Sequence, residues 1–210
     1  LSAAAAAVEE SAGYPETNAE SLRAVLSERW DVPAERILAG PGSVSLLYLI
    51  LRILNPKSVL IPTPCFSEYP YAASRSGATV AEHAVDSSGV LGAPPKLESH
   101  TCVILSNPCN PTGRLVPGNI LREWMAAVKA ADGHLILDEA YADFLADGAP
   151  QYSDKTFNTC PVIVLRSPLK FFSLPGLRAG LALLPAGLAG LVSAELPPWP
   201  LSTPAIAATL

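Results

Sequence analysis

Strand-length apolar runs recur along this chain at 36–38, 58–61, 79–85, 101–105, 134–137, 162–166 and 177–183, and stretches with helical spacing separate several of them. That alternation is the strongest constraint on the fold. Strands that are apolar on both faces must be covered on both faces, and strand–helix–strand connections join them in parallel. The expected architecture is α/β, a three-layer sandwich around a mostly parallel sheet. Leu22, Val25, Leu26 and Trp30 share one helical face that ends before Pro33, with Thr17 and Glu20 spaced as a capping box ahead of it. A second apolar helix is predicted over 44–54, stopped by Asn55-Pro56. A third carries Ile120, Leu121, Trp124, Met125 and Val128 on one face, with Gly133 as its stop.

Composition narrows the function classes. A chain of 210 residues, half of them hydrophobic and 16% charged, can bury a sizeable core and is expected to be ordered. Its net charge of −5 argues against a nucleic-acid partner, because phosphate backbones reward basic surfaces. Pro, Gly or charge interrupts every apolar run before it reaches membrane-spanning length. Cys65, Cys102, Cys109 and Cys160 form no C-x-x-C pair, and His83, His100 and His134 have no ligand spacing, so no metal site is expected. Reduced thiols in a cytoplasmic protein are the expectation. Residues 1–13 open on an alanine run with no basic residues and no initiator Met. They read as a remnant of a longer chain ahead of a domain spanning 14–210, not as a signal peptide.

Ligands of parallel α/β sheets bind beyond the carboxyl ends of the strands. In this sequence those ends are polar: Ser106-Asn107-Pro108-Cys109-Asn110-Pro111-Thr112-Gly113, Asp138-Glu139-Ala140-Tyr141 and Ser167-Pro168-Leu169-Lys170, with Gly42-Ser43 after the first run and Arg178 after Pro175-Gly176. One chemistry uses all of them. Pyridoxal 5'-phosphate needs a lysine amine for its aldehyde, an acid facing its pyridine nitrogen and donors for its phosphate. Lys170 supplies the amine and Asp138 the acid. Asn110 and Tyr141 can hydrogen-bond the phenolic oxygen. Gly42 and Ser43 offer N–H groups at a helix N-terminus, where the macrodipole favours an anion. Ser167 adds a hydroxyl, and Arg178 a planar fork suited to phosphate oxygens. Singly, each has a plainer reading: Asp138 as a helix cap, Arg178 as an ion pair, Gly42-Ser43 as an ordinary turn, Asn110 as a turn residue.

The ordered set Asn110-Pro111-Thr112-Gly113, Asp138-x-x-Tyr141 and Ser167-x-x-Lys170 with Arg178 resembles the signature of class I/II aminotransferases, the fold-type-I pyridoxal-phosphate enzymes. The resemblance implies the large domain of the aspartate-aminotransferase-like fold and catalysis by Lys170 and Asp138 at the α-carbon of a small amino acid. It further implies that Phe66 stacks on the cofactor ring, although an aromatic there also fits the core. Tyr14, in Tyr14-Pro15-Glu16, would reach the cofactor phosphate of the neighbouring subunit in a homodimer. Within the family, Phe66-Ser67-Glu68-Tyr69 and Pro198-Trp199 are similar to the threonine-phosphate decarboxylases of cobalamin biosynthesis. Tyr14-Pro15-Glu16 and Asp138-Glu139-Ala140-Tyr141 are shared with the histidinol-phosphate aminotransferases, or lean towards them. A phosphorylated substrate is implied by either.

The chain also departs from that pattern. Pro41 brings no N–H to the phosphate cradle, Pro168-Leu169 stand where a hydroxyl residue is common, and Ser202 stands near a usual asparagine. The small C-terminal domain of the family, with the arginine that grips the substrate carboxylate, is not expected within these residues. A catalytic enzyme given in part and a cofactor-binding remnant without turnover both remain open. A nucleotide-binding module is disfavoured, because the loop after the first strand lacks a full G-x-G-x-x-G.

Overall fold

The computed structural model describes residues 1–87, 89–146 and 154–210. In chain order these form α1 (Ser2–Glu9), α2 (Glu20–Trp30), β1 (Ile37–Gly40), α3 (Ser43–Leu54), β2 (Ser58–Thr63), α4 (Glu68–Arg75), β3 (Thr79–Ala84), β4 (Cys102–Ser106), α5 (Gly118–Ala130), β5 (His134–Asp138), α6 (Asp154–Thr159), β6 (Val162–Arg166), β7 (Gly180–Leu183), α7 (Ala186–Glu195) and α8 (Thr203–Thr209). The strands make one sheet ordered β1-β7-β6-β5-β4-β2-β3. β7 runs antiparallel to both β6 and β1, and the other neighbouring pairs are parallel.

The strand side chains alternate between two cores. Val103, Leu105, Leu135, Leu137, Val162 and Val164 face one side, where α2, α5, α6 and α8 cover them through Leu22, Trp124, Phe157 and Ile206. Ile104, Ile136, Ile163 and Leu165 face the other, against Leu46, Leu47 and Ile50 of α3, Tyr69 of α4 and Val192 of α7. This is the expected three-layer sandwich. Val162 to Val164 are fully buried because both neighbours of β6 and both faces are occupied. Each buried aliphatic side chain stabilises the layers by roughly 1.5–3 kcal/mol.

Several local expectations are corrected. Thr17 and Glu20 do not form a capping box; α2 starts after Ala19 at φ 51°, with no side-chain cap. Instead Glu16 accepts from the Ser21 N–H at 2.8 Å and Glu20 accepts from the Asn18 N–H at 3.2 Å. The start of the helix thus falls two residues beyond Thr17, whose carbonyl accepts the Trp199 N–H at 2.9 Å. Arg36 closes a 3-10 turn, so β1 begins one residue later and runs to Gly40. Residues 175–177 are also a 3-10 turn, and only Gly180–Leu183 of the predicted 177–183 run is strand. Gly133 does not supply the left-handed stop of α5, which falls on Asp132 at φ 50°. Gly133 is required for a different reason: a Cβ there would overlap the Thr101 carbonyl oxygen.

Candidate active site

The predicted site residues gather at one edge of the sheet. β1, β2, β4, β5 and β6 end there, and antiparallel β7 begins there. The topology thus carries Gly42-Ser43, Phe66, Asn110, Asp138-Tyr141, Ser167-Lys170 and Arg178 to a common rim, although they lie far apart in sequence. No helix among the described residues is long and apolar enough to cross a membrane. Among the same residues there is no cluster of His, Cys, Asp and Glu able to hold a metal.

Asp138 is the floor of this rim. It is the last residue of β5, directly opposite Ser106 in β4, and 7% exposed. Burial pushes its carboxyl above the usual aspartate range, because a charge loses hydration there. Three groups oppose that shift: the Tyr69 hydroxyl donates to Oδ2 at 2.7 Å, the Ala140 N–H donates to Oδ1 at 2.9 Å, and the Lys170 charge lies nearby. Tyr69 itself is 1% exposed, and burial beside this carboxylate drives its hydroxyl pKa upward, so it stays a donor.

Lys170 follows β6 on a short 3-10 turn and places Nζ 4.3 Å from the centre of the Tyr141 ring, a cation–π contact. Ser167, 8% exposed, precedes that turn, and its carbonyl accepts the Lys170 N–H at 3.1 Å. The end of β6 is braced from below. Arg166, 2% exposed, bonds Glu139 at 3.1 Å and Asp143, tying the loop after β5 to β6. A charge this deep persists only when paired.

The anion cradle lies at the other side of the rim. Gly42, at φ 99°, caps the apolar helix α3, and a Cβ on it would collide with the Arg178 guanidinium. Arg178 also donates to the Pro41 carbonyl at 3.3 Å, so the arginine is laid across the start of the helix. The expected Gly42 N–H donor is corrected: it bonds the Gly40 carbonyl at 2.7 Å, because the tight turn after β1 folds it inward. Ser43 and the first turn of α3 are left as the backbone donors, with the helix dipole behind them. Gly180 makes this possible, since a Cβ there would overlap the backbone of Gly42 and Ser43.

Phe66 is half-buried and packs edge-on to Tyr69, ring centroids 5.6 Å apart. Asn110 is half-buried beside Pro108, Pro111 and Tyr141 around one cavity, its N–H donating to the Ser106 hydroxyl at 3.2 Å. Tyr14 stands apart from these groups. It is 82% exposed and stacks on Trp199, centroids 4.4 Å apart. Ser202 caps α8 by accepting the Ala205 N–H at 3.3 Å. Tyr69, Arg166 and Gly180 were not singled out as site residues from sequence. A charge inside the apolar run 162–166 was the visible signal for Arg166.

These groups fit pyridoxal 5'-phosphate: a buried acid, an amine on the same rim, and a helix N-terminus where Gly42 leaves room for the Arg178 guanidinium. The comparisons agree. Residues 2–210 match the family described as aminotransferase class I and II. The chain is 31% identical over 200 residues to a histidinol-phosphate aminotransferase of Ruminiclostridium cellulolyticum, covering 90% of this chain and 54% of that protein. It is 34% identical over 172 residues to a threonine-phosphate decarboxylase of Pseudomonas aeruginosa, covering 81% and 49%. The chain therefore spans about half the length of the curated relatives it matches. The crystal structure of L-threonine-O-3-phosphate decarboxylase from Porphyromonas gingivalis superposes with a TM-score of 0.82 at 23% identity, over 99% of this chain and 62% of that one, which shows the shared fold. By sequence and by fold, the chain belongs to the class I and II aminotransferases, a family that depends on pyridoxal 5'-phosphate.

Proposed function

We propose that this chain holds pyridoxal 5'-phosphate at the carboxyl edge of its sheet and, in the protein it belongs to, acts at the α-carbon of an amino acid. The observation that carries the reading is the buried Asp138, hydrogen-bonded by Tyr69 on the same rim as Lys170. When bound, the cofactor supplies an electron-withdrawing ring to the α-carbon. The Asp138 carboxyl would face the pyridine nitrogen, and Tyr69 and Ala140 favour its ionised form against burial. Lys170 would hold the cofactor through its amine and would carry a proton to and from the α-carbon. Asn110 and Tyr141 would hold the phenolic oxygen, Phe66 would pack against the ring, and Ser43, Ser167 and Arg178 would receive the phosphate beside Gly42. Tyr14 serves the phosphate site of a second copy in a cytoplasmic homodimer. Four free cysteines suit that reducing compartment. Residues 14–210 act as the cofactor-binding domain.

The finer reading is a threonine-phosphate decarboxylase, supported by Pro198-Trp199, by Phe66-Ser67-Glu68-Tyr69 and by the 34% identity to a relative of that name. Histidinol-phosphate aminotransferase is the second reading, favoured by a relative that aligns over 90% of the chain. The test is an absorption spectrum of the chain with pyridoxal phosphate, followed by borohydride reduction and peptide mapping. A visible band that reduction fixes on Lys170, absent in Lys170→Ala, is the expected result. No band, or a label on another lysine, would overturn the assignment. Assay of phosphothreonine for carbon dioxide release, against histidinol phosphate with 2-oxoglutarate, separates the two finer readings.

A further inference from the structure

We infer that Trp199 is a positioning residue for Tyr14, holding it out from one subunit for use by the site of the other. The inference rests on the reading above, in which Tyr14 reaches a second copy's cofactor phosphate. Tyr14 sits in residues 13–18, between α1 and α2, where no helix or strand fixes it. Its neighbours are tied down individually. Glu16 takes the Ser21 N–H, Glu20 takes the Asn18 N–H, and Thr17 takes the Trp199 N–H at 2.9 Å. Trp199 thus holds the segment twice, once through its backbone and once through its ring.

The ring contact is a near-parallel stack, 4.4 Å between centroids and 24° between planes. Even so, Tyr14 stays 82% exposed and Trp199 45% exposed. The stack therefore covers one face of Tyr14 and leaves the rest open, which buries little area for two large side chains. Trp199 also sits at φ 58°, a left-handed conformation that costs a bulky residue energy and persists only where surroundings impose it. Pro198 and Pro200 restrict the backbone on either side of it, and beyond Pro200 Leu201 is anchored in the core at 2% exposure. The stiff 198–202 segment is a bracket, and Tyr14 is what it carries. A tyrosine whose ring is fixed while most of it faces outward loses less freedom when a neighbouring molecule takes its hydroxyl.

The test titrates pyridoxal phosphate into the chain and reads the dissociation constant from the visible band. Tyr14→Phe checks the underlying reading and is expected to weaken binding about 10-fold, the loss of one charge-assisted hydrogen bond. Trp199→Ala is expected to weaken it by a similar factor, the double variant no further, and Trp199→Phe to restore most of the affinity. A mixed dimer of a Trp199→Ala chain with a Lys170→Ala chain gives the decisive readout. Its one Lys170-bearing site receives Tyr14 from the chain whose Trp199 is intact, so wild-type affinity is expected. If Tyr14→Phe has no effect, the reading of Tyr14 as a phosphate ligand fails and this inference fails with it. If Tyr14→Phe weakens binding but Trp199→Ala does not, or their effects multiply, or the mixed dimer stays weak, the bracket alone is overturned.

Discussion

Replacing Tyr69 with Phe isolates the interaction that keeps a buried carboxylate usable. Tyr69 is 1% exposed and its hydroxyl lies 2.7 Å from Asp138 Oδ2. The substitution keeps the ring packing and removes the hydroxyl, whose partners are Asp138 and Ser106. A hydrogen bond to a buried charge contributes roughly 1.5–3 kcal/mol, and a neutral one about 0.5–1.5 kcal/mol. The loss should therefore depend on whether Asp138 is ionised. Burial already raises the Asp138 pKa, with Tyr69 holding it down, so Tyr69→Phe raises it further. A folded pKa above the unfolded value means stability that is complete in acid and lost as pH rises through the folded pKa. The variant starts with the smaller, neutral-bond loss and gives up the remainder as pH climbs from its parent's folded pKa through its own. At about 1.4 kcal/mol per pKa unit, an extra loss of roughly 1–2 kcal/mol corresponds to a shift of about one unit. Urea melts of the cofactor-free chain and the variant, run from acid to neutral pH, read this directly. A stability difference that is flat with pH would refute the reasoning, because Asp138 would then be neutral throughout and Tyr69 would not be its stabiliser.

Two further outcomes follow from the same geometry. Asp138→Asn should stabilise the cofactor-free chain at neutral pH and leave it unchanged below the normal aspartate range, since it removes the cost of ionising a buried acid; thermal melts across pH check this, and a neutral-pH loss would contradict it. Gly180→Ala should cost about 1–3 kcal/mol or more, because its methyl meets the Gly42–Ser43 backbone, not a movable side chain, and should weaken phosphate-dependent cofactor binding beyond that loss. Denaturant melts with a parallel cofactor titration separate the two effects.

Period and chain order settled much in advance. Apolar runs too short for helices, separated by helical spacing, left little but a covered sheet, because exposed backbone and apolar faces both demand partners. Lys170, Asp138 and Asn110 could be placed on one rim because each follows a strand run within a few residues, and parallel strands bring such positions to one edge, whereas Arg178 joins them only because antiparallel β7 begins there. What sequence could not carry was anything set by contact between distant segments. Gly42 reads as a phosphate donor until the turn after β1 folds its N–H onto Gly40. Thr17 and Glu20 read as a capping box until Ala19 takes the start of α2 and the Glu20 carboxylate turns to the Asn18 N–H. Tyr69 gains its role only when β2 and β4 pair and α4 is laid beside Asp138, and Gly180 only when β7 meets the start of α3. Local pattern determines which elements form, because propensity and periodicity act over neighbouring residues. Burial and hydrogen-bond competition decide which groups remain available for chemistry, and those depend on everything packed around them.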